Sequence, residues 1–468
     1  MSLFTSLTSS ASALDADSYA LQITGKNLAN ANNANYARET VSLGSTGGAE
    51  SALGASNSAP VALSVSQIRN AFLDQQVCQQ GSITASLTAQ QTALQNAEAS
   101  LGETVGSSAA TQGANAGASL SSQLASLFNS FSSLAANPTN TGVRQTLLQN
   151  ASTLAGTLND TDASLAQVQT GLDTQIQGDT SDVNTLLQTI TGLNKQIAVA
   201  EIGSPGSAVD LRDQRQTALE NLASKISFSQ APSTSGDQIK LTTTDTSGNT
   251  VVLVDGGTLT NTVAFDGTNL TAGGGALSLT AGSIQGTLDA RDGAIQTLRD
   301  NLDALSQQLV TSVNAAYNPT GATGNFFDAS GTTAGTIALD PSVTTAGLKA
   351  SDGGLAGDNT IALAVAGLAN QSFSTSAGDA IDGTMTQYYS GTVSAFGQTL
   401  SNLNDSVDNQ NAVQTLVQTQ RSSVSGVNLD EESTNLMMYQ KAYEASSRFI
   451  SVIDQLMENL ISIGSGAA

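Results

Sequence analysis

Large apolar residues recur every seven positions at both ends of the chain. The first series is Leu7, Leu14, Leu21 and Leu28, and the second is Leu429, Leu436, Tyr443, Ile450 and Met457. Seven residues make about two turns of an α-helix, so each series forms one narrow apolar stripe along a helix. The sequence therefore predicts two amphipathic terminal helices, whose stripes pack on one another or on those of neighbouring subunits.

One such stripe alone is typical of an ordinary surface helix packed on a core. Two stripes at opposite termini favour paired helices that serve assembly. Asp430, Glu431 and Glu432 directly follow Leu429. Acidic residues in a first helical turn complement the helix dipole, which we prefer to the alternative of a carboxylate metal site.

Composition excludes several classes of function. The 468 residues include no His and a single Cys, Cys78. Without His the chain has no Ser-His-Asp triad, HExxH zinc site or facial-triad iron site, and one Cys forms no internal disulfide and no cysteine-based metal centre. None of its Lys residues lies in a GxxxxGK[ST] P-loop. We therefore predict no enzymatic activity, no cofactor and no metal.

Charge and hydropathy restrict the partners. The chain carries 15 Lys and Arg against 38 Asp and Glu, a net charge of −23 at pH 7. Such a chain repels phosphate backbones, so we expect no nucleic-acid partner. No stretch approaches about 20 consecutive apolar residues, so we expect no membrane insertion. Residues 1–7 do not resemble a cleavable signal peptide.

Between the ends, the spacing of apolar residues changes twice. Helical spacing extends from about residue 80 to 226, with breaks at Asn137-Pro138 and at residues 203–206, and resumes after residue 286. Short alternating runs at 238–242 and 250–254, separated by turn signals, predict antiparallel strands.

These patterns predict a mostly α protein with a small inserted β domain. The predicted domains are a terminal coiled-coil assembly domain (1–42 with 427–468), a long-helix domain (60–227 with 286–426, including a Gly/Thr/Ala-rich segment 317–376) and the β domain (228–285). We expect an elongated molecule in which the N- and C-terminal helices pair as a coiled coil. The long-helix bundle comes next, and the antiparallel β domain is outermost.

Two motifs resemble the signatures of bacterial flagellar axial proteins. Residues 27–39 end in the Tyr-x-Arg typical of hook-associated proteins, and residues 425–432, continued through 438–443, are similar to the C-terminal signature of the flagellar hook-associated protein 1 family. The internal segment 209–215 is also similar to that family. The signature positions are Asn30, Tyr36, Arg38, Gly426, Asn428, Leu429 and Glu432.

The resemblance implies a secreted structural protein that joins the flagellar hook to the filament. Members of this family leave the cell by type III export and assemble into a helical ring through their terminal helices. The ring has hook protein on one side and the third hook-associated protein on the other. A cytoplasmic export chaperone covers the C-terminal helix before export.

Three alternatives remain open at this point. Hook, distal-rod and third hook-associated proteins share terminal heptads. A surface adhesin could form β-solenoid coils from residues 317–376, although the segment has no fixed repeat. An enzyme could use a carboxylate pair such as Asp210 and Asp213, although acids three residues apart are typical of a solvated helix face.

Overall fold

The structure is a computed structural model that describes residues 3–45, 60–101, 119–233, 238–321, 324–353 and 357–465. Most of these residues are helical. The helices are α1 (Leu3–Ala29), α2 (Ala71–Leu101), α3 (Leu120–Ala136), α4 (Thr141–Ala200), α5 (Val209–Lys225), α6 (Ser283–Asp289), α7 (Gln296–Tyr317), α8 (Thr360–Gly367), α9 (Met385–Ser425) and α10 (Leu429–Ser465). A π-helical segment, Ala290–Ile295, joins α6 to α7. Over the described residues, no helix has both the length and the hydropathy needed to cross a membrane.

The strands form three small antiparallel sheets. They are β1 (Glu39–Ser45), β2 (Pro60–Gln67), β3 (Ser229–Pro232), β4 (Ile239–Thr244), β5 (Thr250–Asp255), β6 (Thr258–Leu259), β7 (Ala264–Phe265), β8 (Leu270–Ala272) and β9 (Gly275–Ala276). β1 pairs with β2, β3 to β6 pair in chain order, and so do β7 to β9. Val41 lies opposite Val65 in the first sheet, and Leu241 lies opposite Val254 in the second.

The described chain divides into two compact units. The first unit comprises residues 1–84, 180–282 and 410–468, and the second comprises residues 85–179 and 283–409. Helices α2, α4 and α9 contribute residues to both. The three-domain division made from the sequence stays a prediction.

The second unit has an apolar core that contains aromatic side chains. Phe326 packs against Phe131, Tyr317 and Phe327, with ring centroids 5.0–5.4 Å apart. Asn314 of α7 fixes this turn of chain, because its side chain accepts hydrogen bonds from the backbone N–H groups of Phe326 and Phe327 and donates to the Phe327 carbonyl. Buried rings of this kind contribute area and a preferred tilted geometry to the core.

The first unit places its β-sheets against the end of α4. Leu241, Leu253 and Val254 are fully buried. Asn194 of α4 donates to the carbonyls of Ile239 and Gly256, so one buried amide ties α4 to the end of the β4–β5 pair.

Several sequence predictions about elements are confirmed. The strands expected at 238–242 and 250–254 are β4 and β5. α3 ends at Ala136 with Asn137 as its C-cap, and α4 ends at Ala200 just before the glycine-rich break. The mostly helical class with small antiparallel sheets is also confirmed.

The β1–β2 hairpin was missed, although Val41, Leu43, Val61, Leu63 and Val65 alternate with period two. The segment 317–376 is not a β-solenoid in its described part. It contains helix α8 and isolated bridges, such as that between Phe327 and Leu339.

Candidate functional site

Helices α1 and α10, from opposite ends of the chain, pack against each other within the first unit. The buried side chains of α1 are small or polar: Ala16, Ala20, Thr24 and Asn27. In α10 the buried side chains are Glu432 and Ile453. Because small side chains allow a short distance between helix axes, this line of α1 suits close pairing.

The residues of the two predicted stripes lie beside this line and are less buried. Leu7, Leu14, Leu21 and Leu28 are half-buried, as are Leu436, Ile450 and Met457, whereas Leu429 is 51% and Tyr443 38% exposed. The structure thus brings the two helices together and leaves each stripe with accessible apolar surface. The role of these residues in assembly stays a prediction.

α10 also has a second apolar face, which we call the outer face. It comprises Met438, Phe449, Val452, Leu456 and Leu460, each about half exposed. Their spacing of three, four and eleven residues places them on one side of the helix. Exposed apolar side chains in such a row mark an interaction surface more often than isolated ones do.

A polar cluster, here called the signature cluster, joins the two chain ends at the base of this helix pair. Asn27 of α1 is at its centre and is 1% exposed. Its amide donates to the Glu39 carbonyl and to Glu432 Oε2, and its oxygen accepts from Tyr36 Oη and from the Glu39 backbone N–H. One side chain of α1 therefore bonds to groups of the following loop, of β1 and of α10.

Arg38 makes the ionic contact between the two signatures. Its Nε donates to Glu432 Oε1 at 2.7 Å and its Nη1 to Glu431 Oε2 at 2.8 Å. Its backbone N–H donates to the Ser425 carbonyl at the end of α9. Glu431 and Glu432, two of the three first-turn acids of α10, thus have Arg38 as a cationic partner as well as the helix dipole, a pairing that the sequence analysis did not find.

Gly426 and Asn428 build the turn between α9 and α10. The Gly426 N–H donates to the Ser422 carbonyl, and a Cβ added at Gly426 would lie 2.3 Å from that same oxygen. Asn428 is the N-cap of α10, since its side-chain oxygen accepts from the N–H groups of Asp430 and Glu431. These two signature residues therefore determine the backbone conformation of the turn.

The buried Arg421 and the half-buried Arg69 hold the loop that follows α1, which contains Asn30. Arg69 donates to the Asn35 carbonyl and to Asp213, and Arg421 donates to the Ala34 carbonyl and to Glu220. Sequence reasoning missed both. The available signal was composition: this chain has few basic residues, and an Arg that becomes buried needs an acidic partner.

Burial changes the titration of this region. Desolvation raises the pKa of the Glu39 carboxyl, against the opposing effect of Lys26, which donates to Glu39 Oε1. Desolvation also raises the pKa of Asp213, despite its hydrogen bond from Arg69. The pKa of Tyr36 is raised as well, first by burial and then by the nearby Glu39 charge. Tyr36 therefore stays neutral and acts as a hydrogen-bond donor to Asn27.

The charged groups here hold structure together. Asp210 pairs with Lys26, and Asp213 pairs with Arg69, so the carboxylates considered for an enzyme are in ion pairs. In the described part of the chain, no three His, Cys, Asp or Glu side chains group as metal ligands would.

Comparisons with known proteins find two matching families and a curated relative. Residues 111–327 match the family described as the flagellar hook-associated protein FlgK helical domain, and residues 418–463 match the flagellar basal body rod FlgEFG protein C-terminal family. The chain is 26% identical over 519 aligned residues to flagellar hook-associated protein 1 of Bacillus subtilis strain 168, covering 98% of each chain.

The comparison also finds a solved structure, the flagellar hook junction protein FlgK from Burkholderia pseudomallei. The match has a TM-score of 0.44 and 22% identity, and it covers 54% of this chain and 46% of that one.

The two matched families and the Bacillus relative are all components of the bacterial flagellum, a structural class of protein. Within that class, the chain carries a match to the FlgK helical domain and is similar over almost its whole length to a flagellar hook-associated protein 1. The second match falls on the end of α9 and most of α10, so the C-terminal helix itself carries the likeness to rod and hook proteins.

Proposed function

We propose that the protein is the structural link between hook and filament, assembled from copies that contact one another through α1 and α10. The outer face of α10 carries this proposal. After α10 has paired with α1, a row of large apolar side chains is still about half exposed. A heterologous contact that repeats from copy to copy around a ring would cover such a row.

The finer organisation belongs to the same proposal. The terminal helices form a coiled coil as the assembly domain (1–42 with 427–468), the long-helix domain (60–227 with 286–426) follows, and the β domain (228–285) is outermost. The heptad spacing of Leu7 to Leu28 and of Leu429 to Met457 supports the first element of this order.

The proposed partners follow from this position. Further copies of the chain form a helical ring, hook protein lies on one side, and the third hook-associated protein lies on the other. Before type III export, a cytoplasmic chaperone covers the C-terminal helix. The exposed apolar row on α10 supports a chaperone, because such a surface promotes aggregation in a free subunit.

A deletion strain tests the function. Cells without the protein should keep their hooks, lose attached filaments and release filament subunits into the medium. The full chain should restore filaments, and a chain that ends at Asn428, which lacks α10, should not. Attached filaments in the deletion strain, or restoration by the shortened chain, would contradict the proposal.

A second candidate is another axial role, such as hook or distal rod. The match of residues 418–463 to the rod and hook family favours it. The separate match of residues 111–327 to the hook-associated helical domain weighs against it. In the deletion strain, absence of the hooks themselves would support this second role.

A further inference from the structure

The first unit contains a cleft that lies apart from the helix pair and the signature cluster. Its volume is about 510 Å³. The walls come from the first part of α2, the end of α5 with the segment after it, the strands β3 to β5, and residues 278–281. This volume lies within the range of small-ligand pockets, roughly 300–1,000 Å³.

The lining is uncharged, although the chain has a net charge of −23. Of the described residues that line the cleft, nine are Ser or Thr, three are Gln, and none is Asp, Glu, Lys or Arg. Ile83, Ile226 and Phe228 supply an apolar part of the wall. The cleft therefore suits a neutral ligand that both donates and accepts hydrogen bonds and that also has an apolar face.

Ser82 supplies a buried hydroxyl in the wall of this cleft. It is 4% exposed, it lines the cleft, and its hydroxyl has no hydrogen-bond partner among the described residues. Other buried hydroxyls in helices, such as those of Ser130, Thr191 and Ser306, bond to the carbonyl four residues earlier. A buried hydroxyl without a partner is costly, so a ligand group that bonds to it would gain affinity.

We propose that this cleft binds an uncharged saccharide unit. Hydroxyl and amide side chains are the groups it presents, including Thr242 and Thr244 from one face of β4 and Thr250 from β5. An extended peptide would instead need the backbone of a strand edge. Sugar rings combine several hydroxyls with apolar C–H faces, which match the polar wall and the Phe228 side of the cleft.

Cys78 provides the readout, because it lines the cleft and is the sole cysteine of the chain. Burial raises the pKa of its thiol to about 12, so alkylation by iodoacetamide should be slow and is best followed at about pH 9. The probes are the neutral disaccharides maltose, cellobiose and diacetylchitobiose. A ligand at about ten times its Kd should slow labelling about tenfold, since occupancy blocks access.

Variants make the test specific. Ser82→Ala should leave labelling of the free protein unchanged and weaken saccharide binding about fivefold to tenfold, because a hydrogen bond to the ligand is lost. Thr242→Val, which keeps the shape of the side chain, should also weaken binding. Thr92→Ala is the control, since its hydroxyl lies elsewhere on α2 and bonds to Thr88.

Protection of Cys78 by a neutral disaccharide that falls to about twofold or threefold in both cleft variants and stays about tenfold in Thr92→Ala would support the proposal. No protection at about 10 mM sugar would overturn it. Equal protection by glucuronate or glycerol would overturn it too, as would protection by a neutral Ser/Thr peptide alone. None of these results bears on the junction role, which rests on other surfaces.

Discussion

At the scale of single residues, Asn27 is the central contact between the two ends of the chain. Its amide and oxygen together engage Tyr36, Glu39 and Glu432. Two of its four partners are the backbone N–H and C=O of Glu39, a buried residue at the start of β1. Buried backbone groups of this kind have no water to replace a lost partner.

Asn27→Ala should therefore lower the free energy of unfolding of the first unit by about 2–4 kcal/mol, because it leaves buried polar groups unpaired. Urea unfolding followed by circular dichroism measures this change. The matched control is Asn32→Ala in the adjacent loop, where the side chain is exposed and the change should stay within about 0.5 kcal/mol. Equal effects of both substitutions on the free energy of unfolding would contradict the claim that Asn27 is the central contact between the chain ends.

The raised pKa of Glu39 predicts that the stability of the folded protein depends on pH. Its folded-state pKa is raised, chiefly by desolvation, and its Oε2 is buried without a hydrogen-bond partner among the described residues. The folded protein therefore binds this proton more tightly than the unfolded chain. The stabilising contribution is present below the unfolded pKa and is lost as pH rises through the folded pKa.

Glu39→Gln mimics the protonated form, so it should be more stable than the parent at neutral pH, with a difference that shrinks in acid. Urea unfolding at several pH values measures it. Asp328→Asn should show the opposite sign, because the Ser330 hydroxyl and backbone N–H lower the pKa of Asp328. That carboxylate stabilises the folded state at neutral pH, and this contribution is lost as the pH falls through the pKa of the folded state. A Glu39→Gln variant that is less stable at neutral pH would contradict this account.

At the scale of elements, the α9–α10 turn fixes where the assembly helix begins. Gly426 closes α9 in a position where a Cβ would meet the Ser422 carbonyl, and Asn428 caps α10. The signature therefore specifies a turn as well as an interface. The sequence pattern located both helices, but it did not reveal why Gly426 is required, because a close backbone approach leaves no trace in apolar spacing.

Gly426→Ala should lower stability by about 1–3 kcal/mol, because the backbone must move to relieve the contact. Gly391→Ala inside α9 should do the reverse and raise stability by about 0.5–1 kcal/mol, since nothing lies within 4 Å of its added Cβ and Ala is the better helix former. Thermal unfolding by calorimetry measures both. A stabilising Gly426→Ala would show that the turn has free space.

What could be predicted at this scale depended on the range of the interaction. Helices, breaks and the strands β4 and β5 follow from local spacing and turn residues, and they were found. The pairings of Arg38 with Glu432 and of Arg421 with Glu220 join residues hundreds of positions apart or on different helices. Apolar spacing in the sequence does not predict these ion pairs. The signature motifs identified Arg38 and Glu432 as important positions, but they did not show that the two side chains pair.

At the scale of the whole molecule, one chain has two kinds of surface at its ends. The side of α1 that carries Ala16 and Ala20 is buried, and α1 packs against α10 of the same chain. The outer face of α10, in contrast, is still about half exposed. The heptads predicted paired ends, and the structure has them in contact. The sequence analysis did not distinguish the face of α10 that packs on α1 from its outer face, because both faces are apolar and lie on one helix.

The most direct test of the central claim charges the outer face of α10. Phe449→Glu combined with Leu456→Glu should leave thermal unfolding of the purified protein within about 1 kcal/mol of the parent, since both side chains are about half exposed. Gln440→Glu combined with Gln455→Glu adds the same two charges at exposed polar positions of α10 and is the control.

Each pair replaces the native protein in cells, and attached filaments per hook are counted by electron microscopy. We predict filaments at normal frequency with the control pair, and bare hooks with folded protein in the medium for the Phe449/Leu456 pair. Normal filament numbers with the Phe449/Leu456 pair would contradict the claim that this face joins neighbouring subunits.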